Sequence, residues 1–130
     1  KSTPAIGFAL GMERLLLLLE HLQLKPVDMS DIDVYVMAMN DTALHKTMHV
    51  AELLRDELPA LKVQVHCGGG NFKKQIKRAD KSGATIGIII GSSELNSNKI
   101  TVKYLRDITK EQQTVELSEL IQFLTVDDNV

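Results

Sequence analysis

The sequence predicts an α/β fold, a mixed five-stranded sheet of three parallel strands and an edge hairpin, flanked by about three helices and preceded by a strand–helix segment. Three observations predict it. From Asp33 to Ile90, apolar β-branched runs alternate with stretches of helical periodicity, the pattern of two right-handed crossovers onto a parallel sheet. After Ile90, two strand-like runs follow with no helix between them, as in a hairpin added to one edge. The chain has 130 residues, of which 44% are hydrophobic, enough for one core of ordinary domain size and a short extra segment.

The first stretch, KSTPAIGFALGMERLLLLLE, mixes small and apolar residues from Pro4 to Leu10, as in a strand packed closely on a neighbour. Met12 to Leu22 is a strong helix former, and Leu15 to Leu19 place leucine on every face of that helix. A helix apolar all round belongs inside a larger body, so a neighbouring domain is expected to cover it. Glu13 and Arg14 interrupt the apolar run and leave too little on either side to span a bilayer, so no membrane partner is expected. Gln23 to Ile32 has no sustained period and reads as a linker, which divides the chain into 1–22, the linker 23–32 and a domain over 33–130.

Asp33 to Met39 suits a strand covered on both faces, and Asn40, Asp41 and Thr42 can cap the next helix. That helix, Thr42 to Leu58, puts Leu44, Met48, Ala51, Leu54 and Leu58 near one face, and Pro59 stops it. Lys62 to His66 is a short strand running into Gly68, Gly69 and Gly70, after which Asn71 caps a helix ended by Ser82 and Gly83. In this helix Phe72, Ile76 and Ala79 share one face, Lys73, Lys77 and Lys81 follow one flank, and Lys74 and Arg78 the other. Thr85 to Ile90 is a buried parallel strand, Glu94 to Asn98 a turn, and Lys99 to Leu105 with Gln113 to Leu117 the hairpin. Ser118 can cap a last helix that turns Leu120, Ile121 and Leu124 inward.

A formal net charge of −2 gives no global signature of nucleic-acid binding, so that function has to rest on local clustering. The helix after the glycines supplies it, with five basic residues against Asp80 alone. Such a face also suits plain solvation, but this one adjoins the C-terminal ends of the parallel strands, where ligands of open α/β sheets bind. The glycines fail the dinucleotide fingerprint, because Lys73 stands where a third glycine is needed, and no Gly-Lys-Ser/Thr follows for a P-loop. They read as a structural turn or as a backbone nest for a nucleic-acid phosphate. His45 and His49 have i, i+4 spacing but no third ligand, so no metal is expected. Cys67 stands beside His66, which a strand points the other way, and so reads as an ordinary thiol rather than a nucleophile. A solitary cysteine excludes an internal disulfide and suits a reducing compartment, so a cytoplasmic location is expected.

Two stretches resemble one family. GFALGMERLLLLLE resembles motif 3 of class II aminoacyl-tRNA synthetases in its histidyl form. By that resemblance Arg14 contacts ATP phosphates, and Gly7 and Gly11 let the backbone lie close to the nucleotide. Asp33 to Leu124 resembles the anticodon-binding domain shared by the histidyl, threonyl, prolyl and glycyl enzymes, and HCGGGNFKKQIKRADKSGA is its most specific part, again of the histidyl kind. The resemblance implies a homodimeric parent enzyme that uses ATP and Mg2+ to join histidine to its tRNA, and a C-terminal domain that binds the anticodon loop. It places RNA contacts at Asn71, Lys74, Lys77, Glu94 and Lys103. The chain on its own is not expected to be catalytic, since the other motifs of the family are absent from it. A non-catalytic accessory or regulatory module that binds RNA or protein is the alternative, and a small enzyme using Cys67 a more distant one.

Overall fold

The computed structural model describes residues 2–24, 32–68, 70–92 and 98–126. The sheet is built outward from β1 (Val34–Ala38), with β2 (Val63–Val65) parallel on one side and β3 (Ile86–Ile90) parallel on the other. Strand β4 (Lys99–Tyr104) pairs antiparallel with β3, and β5 (Gln113–Glu116) antiparallel with β4, giving the order β2-β1-β3-β4-β5. This is the expected mixed five-stranded sheet.

Helix α1 (Met12–His21) precedes the sheet, α2 (Leu44–Glu57) joins β1 to β2, α3 (Phe72–Lys81) joins β2 to β3, and α4 (Leu120–Val126) closes the described chain. Because side chains alternate along a strand, Val34, Val36 and Ala38 enter one core with Ile86, Ile88 and Ile90, whereas Tyr35, Met37 and Ile89 enter another. Val50, Ala51 and Leu54 of α2 and Leu120 and Leu124 of α4 fill the first core. Ala79 of α3, with Phe72 and Ile76 packed alongside, fills the second. Since β2 and β3 flank β1, crossovers of one hand put α2 and α3 on opposite faces. Each fully buried Leu or Ile in these layers contributes about 1.5–3 kcal/mol relative to exposure.

Two expectations are corrected. Residues 4–10 form no strand, because a strand needs a ladder partner and no described residue pairs with this stretch. On α2, Leu44 and Met48 stay about half exposed, and the buried face is Thr47, Val50, Ala51 and Leu54. The helix opens with a 3-10 turn at Asp41–Ala43, capped by the Asn40 side chain, which accepts from the Ala43 N–H at 3.0 Å. Thr47 enters the core at little cost because its hydroxyl donates to the Leu44 carbonyl at 2.7 Å.

Helix α1 buries no residue, and Leu16, Leu17, Leu18 and Leu22 are all more than half exposed. No described helix is long and apolar enough to cross a membrane.

Candidate nucleic-acid interface

The site is built where β1 and β2 part company. Strand β2 ends at Val65, and its ladder with β1 closes with the His66 N–H donating to the Val36 carbonyl at 2.9 Å. Two residues further along, the backbone groups of Ala38 face the same side and have lost their strand partner. The Gln75 side chain from α3 replaces it: its Oε1 accepts from the Ala38 N–H at 3.2 Å and its Nε2 donates to the Ala38 carbonyl at 2.8 Å. The same Nε2 lies 3.4 Å from the Gly70 carbonyl, so one buried carboxamide ties β1, the glycine turn and α3 together.

The turn itself requires glycine. Gly68 and Gly70 have φ of +100° and +98°, which side-chain-bearing residues rarely adopt, while Gly69 lies outside the described residues. Arg78 Nη1 donates to the Cys67 carbonyl at 3.2 Å, a second tie from α3 to the turn. Beneath it the buried His66 ring takes Tyr35: the hydroxyl is 2.9 Å from Nδ1, and burial raises the Tyr35 pKa, with the Arg78 charge opposing and Cys67 adding. His66 is thus buried and Cys67 exposed, as opposite-pointing neighbours should be.

Asn71 caps α3, its Oδ1 accepting from the Lys74 N–H at 3.0 Å. The Lys74 stem folds along the turn, its Cδ 3.6 Å from the Cβ position of Gly70. Around the helix, Lys77 shares a groove of about 450 Å3 with Ile76, Asp80, Lys103, Leu105 and Ile108. Ile108 is 98% exposed, on a turn in which the Asp107 carboxylate accepts from the Thr109 hydroxyl and N–H. These bonds hold the Asp107 pKa below its usual value. Asp80 is neutralised by Arg106, whose Nη1 lies 3.2 Å from it and whose Nε donates to the Ala84 carbonyl at 3.1 Å. Lys73, Lys74, Lys77 and Lys81 form no ion pair among the described residues. The surface of α3 is therefore cationic in fact as well as in composition.

The structure places Lys77 and Lys103 on one groove, and Lys74 and Asn71 at the glycine turn. Glu94 lies outside the described residues. Arg14 and Gly11 are exposed at the start of α1, and a Cβ on Gly7 meets nothing within 4 Å. Among the described residues, none encloses these three into a nucleotide cradle. The aromatic supply is closed as well: Phe72 packs on the second core, and Tyr104 is buried with Lys110 Nζ 4.5 Å over its ring. Among the described residues, no group of three His, Cys, Asp or Glu could hold a metal ion.

Sequence reasoning missed Gln75 and Arg78. A glutamine among lysines looks like surface, and only the early end of β2 makes it a backbone partner. A further cleft, of about 550 Å3, lies between the hairpin and α4, where the carboxylates of Glu111 and Glu119 outnumber the ammonium of Lys110 and disfavour phosphate.

The fold matches known proteins. A family described as an anticodon-binding domain matches residues 33–126. The histidyl-tRNA synthetase of S. aureus, solved without ligand, is 33% identical with a TM-score of 0.63 over 86% of this chain and 28% of its own. That of Nostoc sp. PCC 7120 is 26% identical with a TM-score of 0.64 over 88% of this chain and 27% of its own. The RNA-binding domain of threonyl-tRNA synthetase from Cryptosporidium parvum Iowa II shares the fold, with a TM-score of 0.68 at 17% identity over 76% of this chain and 24% of that one. This chain thus spans about a quarter of the length of the solved chains it matches. It belongs to the anticodon-binding domain family of class II aminoacyl-tRNA synthetases.

Proposed function

We propose that the chain reads the anticodon loop of histidine tRNA as the C-terminal part of a histidyl-tRNA synthetase. The observation that carries the reading is the cationic face of α3, which has no free acid of its own and adjoins both the cleft at the glycine turn and the groove that Lys103 lines beside the start of β3. Lysines along a helix attract the phosphate chain without regard to sequence, whereas individual polar side chains read base edges. Lys74 takes the first role. Lys77, Lys103, Asn71 and Glu94 take the second: carboxylates accept from base amino groups, and ammonium and amide groups donate to base oxygens and nitrogens.

The histidine assignment is supported by 33% identity to the S. aureus histidyl enzyme, and that match covers more of the chain than residues 33–126 amount to. In the parent, a catalytic domain would cover the exposed leucines of α1 and complete the ATP site, with Mg2+ supplying charge neutralisation at the phosphates. That parent is a cytoplasmic homodimer in this reading.

The test is binding of the chain to stem-loops that differ only in the anticodon. Preference for the histidine anticodon over the threonine one, lost in part in Lys103→Ala, is the expected result. Equal affinity for every anticodon overturns the reading.

A further inference from the structure

In the described part of the sheet domain, four large hydrophobic side chains are exposed, and three of them, Met39, Leu44 and Met48, line one cleft of about 440 Å3. It lies between the start of α2 and the glycine turn, away from the groove that holds Lys77 and Lys103. We propose that this cleft is a pocket for one unstacked nucleobase of the bound RNA, an inference that rests on the anticodon-binding reading.

A base has two apolar faces and a polar edge, and it arrives on a phosphate chain. The cleft offers a counterpart to each. Leu44 and Met48 form one wall, and the turn tied down by Gln75 and Arg78 forms the other. Methionine adapts its shape and packs its sulfur favourably against aromatic rings. Asp41 and His45 stand among the lining residues, and the Asp41 carboxylate accepts from an amino or imino edge. Lys74, folded along Gly70, brings an ammonium to the rim for the adjoining phosphate. Charge favours RNA over protein as the occupant, because Lys74, whose stem lies against the Gly70 that lines the cleft, forms no ion pair among the described residues.

The experiment titrates the 130-residue chain with the anticodon stem-loop and with loops each lacking the base at one position. One abasic loop is expected to bind the unaltered chain roughly tenfold more weakly than the intact loop. Leu44→Ala/Met48→Ala should bind the intact loop more weakly by the same factor and lose nothing further with that abasic loop. Both residues are half exposed, so the fold survives, and Met48→Leu, which keeps the wall, should bind as the unaltered chain does. Unchanged affinity in the double variant overturns the pocket and leaves the anticodon reading standing. Losses that add in full at every loop position also overturn it. Failure of the unaltered chain to bind any stem-loop removes the anticodon reading and the pocket together.

Discussion

Gln75 shows how one side chain can stand in for a missing strand. It satisfies both backbone groups of Ala38 where β2 no longer reaches. Gln75→Leu keeps the volume and strands a buried N–H and carbonyl, so it should cost about 2–4 kcal/mol in urea unfolding. Tyr35 makes a second prediction. Its pKa is raised above the usual 10.0 in the folded protein, chiefly by burial. Above pH 10 the unfolded chain loses this proton more readily than the folded one, so stability falls as pH rises toward the folded value. Below pH 10 the contribution is complete. Thermal unfolding across pH 9 to 11 should show this alkaline slope, and Tyr35→Phe should flatten it. The sequence made Tyr35 legible as a strand residue, but its hydroxyl needed His66, 31 positions away, to explain it.

Strands and caps were largely legible before the structure. The run IGIII appears as β3, fully buried, and Asn71 and Asn40 both cap the helices they precede. What periodicity did not reveal was phase. Counting leucine and methionine as core put Leu44 and Met48 inside α2, whereas Thr47 and Val50 take that place. A hydroxyl that bonds to its own helix behaves as an apolar group, and a residue-type count does not register that. Strand β3 has its own constraint at Gly87, where a Cβ would stand 3.0 Å from Met37 Cε and 3.4 Å from Leu105 Cδ2. Gly87→Val should therefore lower stability by about 1–3 kcal/mol through overpacking, as read from the urea midpoint at unchanged slope. Met37→Ala, which vacates the contact, should restore part of that loss in the double variant.

Across the molecule, most of the exposed apolar surface lies on the segment before the sheet domain, and the basic helix lies within that domain. The leucines of α1 stand in solvent, and the lysines of α3 face outward from a packed sheet domain. The basic helix was plain in the sequence, but its division was not: Lys77 meets Lys103 on one flank and Lys74 meets the glycine turn on the other, which only the order β2-β1-β3-β4 produces. A lysine that contacts phosphate releases bound counterions, so Lys74→Ala should weaken binding to every stem-loop alike. It should also make the slope of log K against log salt shallower by about 0.7. The most direct test of the interface is an NMR titration of the labelled chain with the histidine anticodon stem-loop. Shifts should concentrate in the turn at Cys67–Gly70, along α3 and at Lys103, and leave the cleft between the hairpin and α4 unmoved. Shifts confined to that hairpin and α4, with the turn and α3 silent, would contradict the account.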